Sequence, residues 1–309
     1  MEINPIQYDM LVVTGITATG KTGIAAQMAK ELSGEIISAD SRQVFKGMTI
    51  GTGKDLADYV VDGEQIPFHL IDIKNPGETY SVFNFQNDFH EAYNSIRNNN
   101  HFPILSGGTG LYVESVLKQY KLLDVPQNKE LRDELKQKSL EELTEILAGL
   151  KHMHNTTDVD TKLRAIRAIE IETFHKENQI EQTSLPSIKS LVVAPHFERK
   201  IIRERITQRL QERLAEGMVE ETKALLDSGV NPDKLISYGL EYKFLTWYLI
   251  GKMDYETMVE RLNIAIHQFA KRQMTWFRRM ERKGININWI DGNLPMNEKV
   301  SKIKELLFK

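Results

Sequence analysis

The sequence predicts an α/β fold, a parallel sheet flanked by helices, interrupted by a small all-helical insertion domain. Three observations carry that expectation. A glycine loop, Gly15-Ile-Thr-Ala-Thr-Gly-Lys-Thr22, lies between an apolar run and a helix-forming one. Short β-like runs then alternate with helix-like runs, as βαβ units do. From Asn128 to about Glu181 the β-like runs give way to charged, helix-forming sequence, and Ser190-Leu-Val-Val-Ala194 then restores a buried strand. The expected divisions are 1–120 and 188–309 for the core and 121–187 for the insertion.

Taken in order, Leu11-Val-Val-Thr14 reads as the first strand and Lys21–Leu32 as the first helix. Glu35-Ile-Ile-Ser38 and His69-Leu-Ile-Asp-Ile73 read as strands, and Tyr80–Asn98 as an amphipathic helix. Pro103-Ile-Leu-Ser106 is a buried strand running into Gly107-Gly-Thr-Gly110, with a helix from Leu111 to about Lys118. After the insertion come three long helices, Arg199–Ser228, Tyr242–Ile250 and Tyr255–Lys283.

Composition limits the choice of function. The 309 residues include 41% hydrophobic and 27% charged, an ordinary globular balance, and the formal net charge of −3 points to no polyanion partner by itself. The absence of cysteine excludes disulfides, thiolate nucleophiles and cysteine-ligated zinc. His152 and His154 lack a third ligand nearby and make no metal site. No apolar run approaches the roughly 18 residues of a membrane span, and MEINPIQYD has no signal-peptide pattern. A cytoplasmic, monomeric protein without membrane contact is expected.

Gly15-x4-Gly20-Lys21-Thr22 fits the phosphate-loop pattern with a strand before it and a helix after it, so the expected core is P-loop NTPase-like. Backbone N–H groups and the helix N-terminus would surround phosphate oxygens, Lys21 would meet the outer phosphate, and the Thr22 hydroxyl could ligate Mg²⁺. The loop specifies a di- or triphosphate and leaves a small-molecule kinase open. Asp72 is a candidate strand-end acid for a nucleotide's metal, and Asp40 stands just past the second strand, on the rim that carries the loop. Pattern alone leaves Asp40 two roles: to accept a proton beside the phosphates, or to cap a helix.

Seven ordered segments then narrow the choice: the loop itself, Ala39-Asp-Ser-Arg-Gln-Val-Phe-Lys-Gly-Met48, Ile50-Gly-Thr-Gly-Lys54, His69-Leu-Ile-Asp-Ile73, Tyr80-Ser81, Pro103-Ile-Leu-Ser-Gly-Gly-Thr-Gly-Leu-Tyr112 and Phe269-Ala-Lys-Arg-Gln-Met-Thr-Trp-Phe-Arg278. Together they resemble the tRNA dimethylallyltransferases, from the first strand to about Asp291, least clearly in the insertion. The resemblance implies that dimethylallyl diphosphate occupies Gly15, Ile16, Thr17, Ala18, Thr19, Gly20, Lys21 and Thr22, with Mg²⁺ as cofactor on Thr22. The acceptor would be N6 of the adenine immediately 3′ of the tRNA anticodon. Asp40 would hold or deprotonate that amine, Thr109 would touch the extruded nucleotide, and Asp40, Ser41, Arg42 and Gln43 would line its pocket.

Arg205, Arg209 and Arg213 share one helical face at i, i+4 and i+8. By resemblance one arginine of this helix approaches the diphosphate, and Arg209 or Arg205 is expected to be that one; Arg203 and Arg213 are expected at the surface. Lys271 to Lys283 carries six lysines and arginines against Glu281, with Lys271, Thr275, Arg278 and Arg282 on one face. Such a stripe suits an RNA backbone, and by resemblance Gln268, Lys271, Arg272 and Gln273 follow the anticodon stem-loop. In the insertion, Arg132 and the segment Leu163, Arg164, Ala165, Ile166, Arg167 align with tRNA contacts of the family. Tyr238-Gly-Leu-Glu-Tyr-Lys243 departs from the family's usual Ile-Gly-Tyr-Lys. Two alternatives share the loop: an isopentenyltransferase acting on a free adenine nucleotide, which requires neither the insertion nor the basic helix, and an ATP-dependent small-molecule kinase.

Overall fold

Six parallel strands run in the order β5-β2-β6-β1-β7-β8 through a computed structural model that describes residues 6–151, 157–178 and 187–308. The strands are β1 (Met10–Thr14), β2 (Gly34–Ser38), β5 (Phe68–His69), β6 (Phe102–Gly107), β7 (Ser190–His196) and β8 (Asn288–Asp291), and a small antiparallel pair, β3 (Val60–Val61) and β4 (Glu64–Gln65), stands apart. The helices are α1 (Lys21–Leu32), α2 (Val82–Asn98), α3 (Gly110–Leu117), α4 (Lys129–Leu135), α5 (Leu140–Leu150), α6 (Lys162–Asn178), α7 (Arg199–Ala215), α8 (Met218–Asp227), α9 (Pro232–Ser237), α10 (Leu240–Leu249), α11 (Tyr255–Arg282) and α12 (Met296–Leu307).

Alternation along β1 explains the layers. Leu11 and Val13 enter a core shared with α1 and α12, while Met10 and Val12 enter a second core shared with α2, α3, α7, α10 and α11. Every residue of β1 and β2 is buried, which is the signature of a parallel sheet covered on both faces. Because the strands are parallel, the loops after β1, β2 and β6 leave from the same rim.

Local chemistry corrects three expected elements, and two more appear. The strand expected over His69–Ile73 stops at His69, because Leu70 and Asp72 adopt left-handed backbone (φ 63° and 55°). Asp72 there pairs with the buried ammonium of Lys54. The single helix expected over Arg199–Ser228 breaks between α7 and α8, where Gly217 takes φ 102°. Helix α2 starts at Val82 because Ser81 caps it, exchanging hydrogen bonds with Asn84. Strand β8 and helix α12, which the sequence did not announce, complete the sheet edge and cover α1. Among the described residues no helix is long and apolar enough to cross a membrane.

The chain divides into two units, Met1–Tyr120 with Pro186–Lys309, and Lys121–Leu185. The second packs Leu135 of α4, Leu143 and Leu147 of α5, and Ala165, Ile166 and Ile169 of α6 into its own core. Its polar centre is Glu170, buried and accepting from Arg132 Nε (2.9 Å), Arg132 Nη2 (2.7 Å), the Asn128 N–H (2.6 Å) and Arg167. Those donors hold its carboxyl down at about 2 against the opposing pull of burial.

Of the tRNA contacts expected in this unit, the side chains of Ala165 and Ile166 are the ones corrected. Ala165 and Ile166 are core residues, closed off by packing. Arg132 and Arg167 already have a carboxylate partner, and Arg167 also donates to the Val125 carbonyl at 2.9 Å. Leu163 is 77% exposed and Arg164 pairs with Asp160 at 3.0 Å, so both present side chains to solvent. His152 and His154 lie outside the described residues.

Because the folded Glu170 carboxyl is depressed, its contribution is complete above about pH 4.5 and is lost as pH falls toward 2. Hydrogen exchange on the full chain should show α4 and α6 losing protection across that window. Glu170→Gln should cost about 3 kcal/mol at neutral pH by leaving two guanidiniums without their carboxylate counter-charge; unchanged protection in that variant would dismiss the hub.

Candidate active site

Thr14 ends β1 and the chain turns through the glycine loop, with Thr19 Oγ1 donating to the Ile16 carbonyl at 2.9 Å and Ala18 and Gly20 at positive φ (61° and 72°). Helix α1 then begins at Lys21 with no side chain capping its first turn. Its leading N–H groups and partial positive charge are therefore left for a ligand. Burial pulls the Lys21 ammonium down to about 8; Asp40 opposes the fall, and Arg209 and Arg213 add to it.

Strands β2 and β6 deliver the next groups side by side. The Ala39 N–H donates to the Ser106 carbonyl (2.7 Å) and the Thr109 N–H to the Ala39 carbonyl (3.2 Å). A Cβ on Gly107 would collide with the Ala39 backbone, so only glycine allows this approach. Asp40 Oδ1 accepts from the Arg42 N–H at 2.9 Å, an Asx turn that aims the carboxylate without starting a helix. Thr109 Oγ1 accepts from the Ser41 N–H at 3.0 Å.

Helix α7 supplies cations along one face. Arg205 Nε donates to the Ala18 carbonyl at 2.8 Å and its guanidinium lies 4.9 Å from the centre of the Phe197 ring. Arg209 pairs with Asp55 at 2.5 Å. Opposite them, Glu221 pins the segment 49–51, accepting from the N–H groups of Thr49 and Ile50 (2.8 Å each) and Gly51 (3.0 Å), and from the Tyr242 hydroxyl (2.7 Å). From α11, Gln273 joins the two glycine loops: its Nε2 donates to the Gly108 carbonyl and its Oε1 accepts from the Thr17 N–H, both at 2.9 Å.

These groups surround one cavity of about 920 Å³, whose wall includes Lys21, Thr22, Asp40, Thr109, Arg205 and Arg209. Leu240, Ile266, Phe269, Trp276 and Phe277 give the same cavity an apolar side. It can hold a polyanion against cations and helix dipole, with a hydrocarbon beside it and one carboxylate near the junction.

A profile of the IPP transferase family matches residues 43–280, and one of isopentenyl transferases matches residues 8–68. The chain is 57% identical over 300 residues to tRNA dimethylallyltransferase 2 of Bacteroides fragilis, covering 97% of this chain and 98% of that one. The Phocaeicola vulgatus tRNA dimethylallyltransferase 2 is likewise 57% identical, over 301 residues, with 97% and 98% covered. The chain belongs to the tRNA dimethylallyltransferase family. Among solved structures, the tRNA isopentenylpyrophosphate transferase of Bacillus halodurans matches with TM-score 0.70 and 31% identity over 97% of this chain and 95% of that one.

Against the family pattern the placements are uneven. Thr17, Ala18, Gly20, Ser41, Arg42, Gln43 and Arg272 reach the cavity wall, while Ile16 and Thr19 are buried behind the loop they shape, next to Gly15. Gln268, Lys271, Thr275, Arg278 and Arg282 are exposed on α11, with Phe277 buried and Met274 half-buried, as the stripe requires. Gln273 is corrected: at 8% exposure, with both ends of its amide engaged, it fastens loops and does not face solvent. Arg213 is corrected as well, since its side chain is only 12% exposed and lines the cavity. Its i+8 spacing from Arg205 was the available signal, and the depth of the cleft beside α7 was not readable. His69 pairs with Glu35 at 2.6 Å at the start of β2, away from the site rim. Tyr242 is buried as the partner of Glu221.

Gln273→Leu keeps the volume but leaves the Thr17 N–H and Gly108 carbonyl unpaired, costing about 2 kcal/mol or more. Urea unfolding should report that loss, with faster amide exchange at Thr17. Exchange at Thr17 as slow as in the unaltered protein would show that the amide bridge is dispensable.

Proposed function

We propose that this protein transfers the dimethylallyl group of dimethylallyl diphosphate to N6 of the adenine immediately 3′ of the anticodon in tRNA, releasing diphosphate. The observation that carries the reading is the single cavity that combines a cationic phosphate cradle, an apolar wall and Asp40. The diphosphate lies in the loop 15–22, met by Lys21, the α1 N–H groups and Arg209, and the five-carbon tail lies against Phe269 and Trp276. The adenine amine attacks the allylic carbon; the carbon–oxygen bond breaks, the electron pair leaves with the diphosphate, and the N6 proton passes to Asp40. Charge appearing on the leaving group is what the fixed cations stabilise, the largest contribution in such sites. Orientation supplies much of the rest, since an aromatic amine is a weak nucleophile.

Magnesium fits the donors present. Among the described residues no group of three or more His, Cys, Asp or Glu could hold a metal by itself. A cation here would take the Thr22 hydroxyl and complete its shell with diphosphate oxygens and water, the preference of Mg²⁺. When bound it supplies further neutralisation of the departing charge.

The tRNA would follow the exposed stripe of α11, and its target base, stacked within the anticodon loop, must be extruded to reach Asp40. Thr109, Ser41, Arg42 and Gln43 line the wall that would receive it.

Labelled dimethylallyl diphosphate with Mg²⁺, offered to unmodified tRNA, to AMP or to no acceptor, tests the reading directly. Label is expected in tRNA; label in AMP alone would overturn it. Asp40→Asn should lower transfer by about 100-fold or more while diphosphate binding survives, and normal turnover would remove Asp40 from the proton step. Raising salt should weaken tRNA binding far more than binding of dimethylallyl diphosphate. Diphosphate affinity should also decline as pH rises through about 8, because the free Lys21 ammonium gives up its proton there; a flat profile from pH 7 to 9 would count against Lys21 as the anion's partner.

A further inference from the structure

Among the described residues of the cavity wall, Arg213 is a cation with a buried N–H group that has no hydrogen-bond partner. Its Nη2 is buried without a hydrogen-bond partner, and the nearest carboxylate oxygen, Oδ2 of Asp55, stands 3.8 Å away. That same oxygen is held by Arg209 at 2.5 Å. One carboxylate thus serves two guanidiniums and satisfies only one. Leaving a buried guanidinium N–H unpaired is costly, so a site that keeps one is built for something that completes it.

The backbone opposite has been shaped to admit these two arginines. Gly53 sits at φ 64°, and a Cβ there would overlap Arg213 Nη2 and come within 3.0 Å of Arg209 Nη2. The segment around it is fixed from both ends. Glu221 holds the N–H groups of 49–51, Gln43 Nε2 donates to the Gly53 carbonyl at 3.0 Å, and Lys54 is buried with its ammonium on the Phe45 carbonyl and Asp72. Asp55 follows Lys54, its side chain 42% exposed. Glu241 and Glu216 also act on Arg213, and Glu241, pushed up by burial, is a weak counter-charge.

We propose that Arg213 is a further binding group for the leaving diphosphate, and that Asp55 occupies Arg209 and Arg213 as a stand-in anion that diphosphate displaces and that reclaims them on product release. Arg213 touches substrate and is in that sense catalytic; Asp55 acts through the arginines and is a positioning residue. Diphosphate has enough oxygens to meet both guanidiniums and Lys21 at once, which one carboxylate cannot do. No bond is made or broken in the exchange. The assignment rests on the diphosphate site of the proposed function and adds to it the residues that set how tightly the product is held.

The test is calorimetric titration of inorganic diphosphate with Mg²⁺ into the full chain, comparing the unaltered protein with Arg213→Met, Arg213→Lys and Asp55→Asn, with thermal unfolding recorded for each. Arg213→Met should weaken diphosphate about tenfold or more, and Arg213→Lys should restore part of the loss. Asp55→Asn should bind diphosphate several-fold tighter and lower the steady-state turnover wherever release is limiting. A residue that merely shaped the loop would not give tighter binding. Equal affinity in Arg213→Met, or unchanged or weaker affinity in Asp55→Asn, overturns the proposal; should Arg213→Met fail to fold, the Asp55 variant decides alone. Failure of the unaltered protein to prenylate tRNA would reject the proposed function, whereas these affinities judge the arginines and Asp55 separately.

Discussion

Like charges crowded into a half-closed cavity are the constraint around which the rest of this structure is arranged. Lys21 opens α1, and Arg205, Arg209 and Arg213 repeat every four residues on α7, all against a wall whose acids include Asp40 and Asp55. Away from bulk water such repulsion is strong; burial does most to bring the Lys21 ammonium down to about 8, and Arg209 and Arg213 add to the fall. Polar fastenings then hold the cations where they would not settle unaided. Arg205 is tied to the Ala18 carbonyl, Thr17 and Gly108 are tied to Gln273, and the segment opposite the arginines is tied to Glu221.

Helix α11 shows how one element serves two surfaces. Inward, it is clamped to the core at Gln273 and again at its last turns, where Arg279 (2.6 Å) and Lys283 (2.8 Å) grip Glu114, a buried carboxylate that also accepts from Tyr120. Outward, Lys271, Arg272, Thr275, Arg278 and Arg282 remain in solvent. A long helix fixed at two points along its buried face presents its outer charges in a rigid row, which is how a sequence-independent phosphate backbone is matched. The same fastening places Phe269 and Trp276 at the cavity, so the surface that would carry the polynucleotide and the wall that would carry the hydrocarbon are parts of one rigid body.

The sequence made the sheet and the loop legible because both are local. A five-residue apolar strand, a glycine loop and Lys21-Thr22 announce themselves in a dozen positions, and Asp40 follows from its place after β2. What stayed hidden depends on long-range partners. Gln273 reads as one more polar residue in a basic helix until the Thr17 N–H, 256 positions earlier, is found on its amide oxygen. Arg132 and Arg167 read as free cations because their shared partner, Glu170, is specified by helix packing and not by spacing from Arg132. Arg213 carried the right period but its burial depends on Gly53, whose missing side chain is informative only once the two face each other. The strand expected over His69–Ile73 failed for a related reason: Lys54 draws Asp72 into a left-handed turn, and apolar content cannot reveal that demand.

Alkyl transfer and phosphoryl transfer ask different things of a phosphate loop, and the cavity wall distinguishes them. A phosphoryl group is polar on every side, and its transfer makes no demand of its own for the apolar side that Leu240, Ile266, Phe269, Trp276 and Phe277 give this cavity. An allylic diphosphate does make that demand, because its reacting carbon joins a strongly charged leaving group to a five-carbon tail. The cations then act on the group that departs, not on the group that moves. Stabilising a leaving group too well slows its escape, so a site with this much positive charge needs an anion of its own to compete. Asp55, 2.5 Å from Arg209, 3.8 Å from Arg213 and partly open to water, is placed to be that anion under the proposed exchange: it would yield to diphosphate and take the arginines back on release.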